Sequence, residues 1–336
     1  MNLESIRYGY LRRIVVPVLR GMGVRVSTAL AGRLARGVFE MNTPGRRRAE
    51  ARLRAALGER GGADGERMIE ATYQHLARFW TEALFIPRRL RENSWRRYVR
   101  IENESGLRAL ADSGRGCVLA TAYFGNMAAA ACALGQIFRP VHVIVDWLAH
   151  PALAAWQREL YAQRWVRPIA RGEAAASIPR VLSAGGAVFM VCEHERRGRG
   201  GVRTRFLGRE LSCAPTLGRL ARWFDVPVGV VTCRREAALF SFTLALHEVL
   251  EHDPGATDDG DLVRRAMGTL EDAVMRAPEQ YLWSTPAGEE TRGRSAGSGE
   301  RRVGRYWKGK RIGMVPKRTS KSVGVAMDVS GGHRAG

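Results

Sequence analysis

Twenty residues, Gly116 to Gly135, constrain the chain more than any other stretch. An apolar run from Cys117 to Ala122 breaks at Phe124-Gly125-Asn126 and resumes as an alanine-rich segment of high helix propensity. That pattern predicts a buried strand, a tight turn and a helix start, the arrangement that turns backbone N–H groups toward an anion. A βα unit with no chemistry on its turn would read the same way.

The chain on either side sets that unit in context. From residue 98 onward, apolar runs of strand length (Val118–Ala122, Val141–Val145, Val188–Val191, Val226–Thr232, Phe240–His247) alternate with helical stretches (Met127–Leu134, Pro151–Arg164, Ala174–Ser183, Pro215–Phe224). An amphipathic helix, Leu262–Met275, and a short strand, Gln280–Trp283, follow. Such alternation predicts an α/β fold with a largely parallel central sheet flanked by helices. Upstream, Arg46 to Leu57 reads as a basic helix ended by Gly58. Residues 64 to 86 carry one apolar stripe that stops at Pro87. His75 lies beside that stripe and reads as a satisfied helix histidine.

Residues 5 to 40 mix apolar clusters with Arg7, Arg12, Arg13, Arg20, Arg25, Arg33 and Arg36. Helical spacing with arginine as nearly the only charge suits a helix lying among lipid headgroups, and suits an ordinary surface helix too. No run of eighteen uncharged apolar residues occurs, so no transmembrane helix is expected. The arginines also interrupt any signal-peptide core. Overall, 54 Lys and Arg stand against 33 acidic residues, a formal net charge of +21. That excess favours an anionic partner. No nucleic-acid module or aromatic-basic platform is present, so a membrane surface or acidic substrate is expected rather than nucleic acid. Residues 291 to 336 hold twelve Lys or Arg against Glu300 and Asp328, and read as a disordered basic tail. The division expected is therefore 1–40, amphipathic surface helices; 41–290, the α/β domain; and 291–336, the tail. The five cysteines are scattered, with no metal-ligand spacing, and read as reduced core residues.

Three segments together carry a resemblance. They are Leu119-Ala-Thr-Ala-Tyr-Phe-Gly-Asn-Met-Ala128, then Val141-His-Val-Ile-Val145 with the helix after it. The third is Met190-Val-Cys-Glu-His-Glu-Arg-Arg-Gly-Arg-Gly-Gly201, running through Arg205-Phe-Leu-Gly-Arg209 to Ala214-Pro-Thr216. In this order they resemble the lysophospholipid acyltransferase superfamily, in particular the branch that adds secondary lauroyl or myristoyl chains to lipid A in bacteria. The resemblance covers roughly residues 40 to 285. It implies a glycerolipid acyltransferase-like fold and an acyl donor held on acyl-carrier protein or coenzyme A. It also implies an anionic membrane surface as partner, peripheral attachment at the cytoplasmic face of the inner membrane, and no metal or cofactor.

Two departures matter. Where the family has a histidine base and, five positions on, an acidic residue that orients it, this chain has Tyr123 and Ala128. A phenol with a pKa near 10 is a poor base at neutral pH, and alanine orients nothing. The catalytic candidates are therefore Tyr123 and the triplet Glu193-His194-Glu195. There, two flanking carboxylates are expected to raise the pKa of His194 and hold its tautomer. Gly125 and Asn126 are expected to offer N–H groups to an oxyanion. Arg199, Arg203 and Arg205 suit a phosphate on the donor or acceptor. His142, on a strand, and His150, in a turn before Pro151, are weaker candidates, and His247 and His252 receive no role. Two functions follow: acyl transfer with a relocated base, or binding of lipid or acyl carrier by a family member that has lost its chemistry.

Overall fold

The computed structural model describes residues 11–58, 65–148, 151–196, 200–253, 255 and 258–283, the side chains of residues 11, 12 and 152 excepted. The basic tail expected over 291–336 lies outside the described residues, as does Arg199.

Seven strands form one sheet: β1 (Val99–Glu102), β2 (Cys117–Thr121), β3 (Val141–Val145), β4 (Val166–Ala170), β5 (Ala187–Val191), β8 (Val228–Arg235) and β9 (Phe242–Leu250). Their order is β1-β9-β8-β2-β5-β3-β4. Five of them, β8 to β4 in that order, run parallel. β9 pairs antiparallel with β8 and parallel with β1, so the last two strands run the other way. The largely parallel sheet expected from the alternating runs is thus present. β6 (Val202–Phe206) and β7 (Arg209–Cys213) form a separate antiparallel hairpin.

β2 is central and buried on both faces, which is why it reads as an unbroken apolar run rather than an alternating one. Its side chains divide between two cores. Val118 and Ala120 pack with helices α8 (Ala174–Ser183), α9 (Thr216–Phe224) and α10 (Gly260–Met275) on one face. Cys117 and Leu119 pack with α5 (Glu104–Asp112), α6 (Met127–Phe138) and α7 (Pro151–Tyr161) on the other. The result is a three-layer α/β/α sandwich. All five cysteines are free and buried in it.

Four helices precede the sheet: α1 (Val16–Met41), α2 (Thr43–Leu57), α3 (Gly65–Ala83) and the single turn α4 (Ile86–Arg89). Pro17 occupies the first turn of α1, where its missing N–H costs nothing, and Gly23 (φ +78°) kinks it. Val24, Ser27, Ala35 and Phe39 face inward, and α1 packs along α3. The opposite face is open. Every fourth residue from Ile14 to Val38 is a large apolar side chain exposed to solvent. The segment Arg13–Met41 is long and apolar enough to cross a membrane by length and composition. Isolated arginines interrupt its apolar residues, which is why a search for uncharged runs passes over it.

Gln280–Trp283 is not a strand. A 3-10 turn, Pro278–Gln280, leads to a single bridge between Tyr281 and Phe124.

Candidate active site

The carboxyl ends of parallel strands are where an α/β sheet leaves room for a ligand, because the connections there diverge toward opposite faces. Four neighbouring strands, β2, β5, β3 and β4, end here in side chains with chemistry. Asp146 and Arg171 are the first residues beyond β3 and β4. Tyr123 is the second beyond β2, and Glu193 and His194 the second and third beyond β5. The sheet thus brings Tyr123 and His194, 71 positions apart, to a ring-centroid separation of 5.6 Å, edge to face.

The turn carrying Tyr123 is fixed on every side. The Tyr123 N–H donates to Glu193 Oε1, and its carbonyl accepts from the Leu282 N–H at 3.1 Å. The Gly125 N–H donates to the Gln280 carbonyl at 3.0 Å, and the Asn126 N–H to the Cys233 carbonyl at 2.8 Å. Gly125 has φ +64°, and a Cβ there would lie 2.0 Å from the Cys233 carbonyl oxygen, so only glycine fits. Asn126 is fully buried. Its Oδ1 caps α6 by accepting from the Ala129 N–H at 3.0 Å, and its Nδ2 donates to Glu82 Oε2 at 2.8 Å. The expectation that Gly125 and Asn126 present N–H groups to an oxyanion is therefore corrected: both N–H groups are spent holding the turn.

Behind the turn lies a buried charged network. Arg235 donates to both oxygens of Glu82, at 2.6 and 2.7 Å, and its Nη1 faces His75 Nδ1. Burial first, and Arg235 second, hold the pKa of His75 well below the usual imidazole value, with the Gly125 backbone opposing. Gln280 pairs with both backbone groups of Arg235. His75 is thus satisfied, as expected. Its partnership with Glu82 and Arg235 left no sequence signal, because the three lie on α3 and β8, some 150 positions apart.

Glu193 is completely buried. Oε1 accepts from Tyr123, and Oε2 accepts from the Tyr281 hydroxyl at 2.5 Å. Desolvation outweighs these bonds and pushes its pKa up to about 7. Its carboxylate is turned away from His194. Glu195 is exposed and bridges to Cys213 at the base of the β6–β7 hairpin.

The expectation that two carboxylates flank and activate His194 is therefore corrected. Its neighbour is Arg171, whose Nη2 lies 2.5 Å from His194 Nε2. A guanidinium only donates, so Nε2 accepts and the ring proton sits on Nδ1. Burial and the Arg171 cation lower the pKa of His194 to about 4, with Asp146 opposing. Arg171 also makes a two-pronged pair with Asp146 and donates to the Tyr123 hydroxyl. Burial, reinforced by Asp146, raises the phenol of Tyr123 to about 12, so it stays protonated at neutral pH. Asp146 and Arg171 were missed in the sequence. The usable signal was position, since each is the first polar residue past a parallel strand, but β4 itself went unrecognised.

Arg203 and Arg205 alternate with the buried Val202, Thr204 and Phe206 on β6, and so stand on the hairpin's exposed face. They do not join the cluster around His194. Among the described residues, no group of His, Cys, Asp and Glu is arranged to hold a metal ion.

A three-layer α/β/α sandwich with a polar cluster at the carboxyl edge of its central strands defines an α/β enzyme-type scaffold. The model of the bacterial lipid A biosynthesis acyltransferase family matches residues 2–286, and the chain belongs to that family. No curated protein matches it.

Proposed function

We propose that the protein is a membrane-associated acyltransferase that moves a fatty acyl group from an acyl-carrier-protein or coenzyme A thioester to a hydroxyl or amine on a lipid acceptor. The observation that carries this is the meeting of Tyr123, His194, Arg171 and Asp146 at the ends of four adjacent strands, on the scaffold of an acyltransferase family. His194, neutral at physiological pH, takes the proton from the acceptor as its oxygen or nitrogen attacks the thioester carbonyl. The C–S bond breaks, and the imidazolium returns the proton to the departing thiolate. With the N–H groups of the turn occupied, the protonated Tyr123 hydroxyl is the donor for the carbonyl oxygen as it gains negative charge.

The open face of α1 supports attachment to an anionic bilayer. Leu34 and Met41 are 64% and 86% exposed, beside the exposed Arg25, Arg33 and Arg36. Each arginine carried to the bilayer centre costs about 2.5–3.5 kcal/mol or more, whereas at the interface it meets lipid phosphate. The inner face of α1 is already committed to α3. A helix lying in the headgroup layer, at the cytoplasmic face of the inner membrane, satisfies both faces. Arg203 and Arg205 add to a cationic exterior suited to the same surface.

The test is acyl transfer by the purified full chain on anionic vesicles, with thioester donors of several chain lengths. Transfer that falls about 10²–10⁴-fold in His194→Gln is expected. Absence of transfer from every donor, or full activity in His194→Gln, refutes the reading.

A further inference from the structure

One feature of the cluster works against a base at rest: the lone pair that would accept the proton already faces a guanidinium. Arg171 has three claimants, the carboxylate of Asp146, the hydroxyl of Tyr123 and Nε2 of His194. Only the first is an anion, and it is partly open to solvent, with Asp146 and Arg171 side chains 41% and 44% exposed. A phosphate arriving at that mouth offers the guanidinium a second charged, forked partner, stronger than a neutral imidazole nitrogen. We infer that Arg171 masks His194 in the unliganded protein and that an anionic phosphate group on a substrate draws it away, exposing Nε2 only when substrate is seated. This rests on His194 serving as the base.

The charged and titratable groups that face the imidazole bear this out. Arg171 comes from the end of β4, Asp146 from the end of β3 and Tyr123 from the end of β2. On its own segment, the Glu193 carboxylate is engaged by Tyr123 and Tyr281, and the exposed Glu195 and Arg196 follow. Among the described residues Arg171 is the cation in contact with the ring, so its withdrawal raises proton affinity at the moment the proton must be taken. The device also protects the thioester. When the acceptor carries the phosphate, a donor entering alone meets a base whose lone pair is occupied, which suppresses loss of the acyl group to water.

The experiment is nitrogen NMR of the histidine rings in the full-length protein, with the His194 signals assigned by their loss in His194→Gln. In the wild type, Nε2 should read as the accepting nitrogen, with a titration midpoint well below that of an ordinary imidazole. Inorganic pyrophosphate should raise that midpoint by about one pH unit or more, as should Arg171→Gln, and pyrophosphate should add nothing further in the variant. A midpoint that pyrophosphate leaves unmoved overturns the inference, and that arm needs no variant to fold. A midpoint equal in wild type and folded Arg171→Gln overturns it too. Because the readout is titration, failure of acyl transfer alongside a responsive His194 refutes the proposed activity alone. Transfer that needs His194 alongside an unresponsive ring refutes the masking alone. The source of the phosphate follows from a second arm. An acyl N-acetylcysteamine thioester rescued by added pyrophosphate assigns it to the donor, and rescue of a dephosphorylated acceptor assigns it to the acceptor.

Discussion

Replacing Glu82 with leucine tests what holds the Tyr123 turn in place. Glu82 and Arg235 are 4% and 8% exposed at their side chains, and their contacts are 2.6 and 2.7 Å. Glu82→Leu leaves Arg235 as a buried cation without its counter-ion and takes away the acceptor of Asn126 Nδ2. Breaking one side of a buried pair costs about 3–5 kcal/mol. Arg235 keeps its contact with His75, so the lower end, about 3 kcal/mol, is expected, or roughly a hundredfold in the folding equilibrium. Urea unfolding followed by tryptophan fluorescence measures it directly. The pair also predicts a sign for the double variant. With Arg235→Met added, no charge is left buried, and the double variant should recover most of the loss rather than sum two losses. A Glu82→Leu protein within 1 kcal/mol of wild type, or a double variant as unstable as the sum of the singles, would refute the claim that this buried pair braces the turn.

Gly125→Ala forces a Cβ to 2.0 Å from the Cys233 carbonyl at a left-handed φ, so it should lower the urea midpoint sharply, whereas Gly268→Ala on α10, with open space around it, should not. Glu193, with a folded-state pKa of about 7 against about 4.5 in the unfolded chain, binds its proton more tightly when folded; its contribution to stability is complete below about pH 4.5 and is lost as pH rises through 7. Glu193→Gln should flatten that decline in a series of urea midpoints measured against pH, and an unchanged slope would contradict the raised value. Leu34→Glu should reduce co-sedimentation with anionic vesicles while leaving the circular dichroism spectrum intact, because Leu34 touches little of the protein. Reinstating the family pair by Tyr123→His with Ala128→Glu should destabilise the fold, since Ala128 is 1% exposed inside the α6 core and the new carboxylate would have to be buried there. Thermal unfolding compared with that of Tyr123→His alone isolates the cost.

The sheet was legible where strands are buried on both faces. β2 and β3 match their apolar runs to within a residue: β2 is buried throughout, and the one polar side chain within β3 is the half-buried His142. β4 was not legible: Val166-Arg-Pro-Ile-Ala170 is an edge strand with Arg167 and Pro168 exposed, and reads as loop. The β6–β7 hairpin carries the alternation of a half-solvated strand, with Arg203 and Arg205 as the outward half of the pattern. At the site, the turn and the meeting of Tyr123 with His194 were foreseeable from the order of βα units. The partners were not. Whether a histidine's neighbour is the carboxylate beside it in sequence or an arginine 23 positions earlier depends on which way each strand end points, and nothing local records that.

The clamp on the Tyr123 turn has a consequence for how the protein comes into being. Gln280 and Leu282 hold residues 123 and 125 across more than 150 positions of chain. A ribosome that has released every residue of the candidate cluster has still not released the pieces that set its geometry. A product cut short before Gln280 would carry Tyr123, Asp146, Arg171 and His194 and yet lack the contacts that hold the Tyr123 turn, so the cluster cannot take its final geometry until synthesis has passed that point.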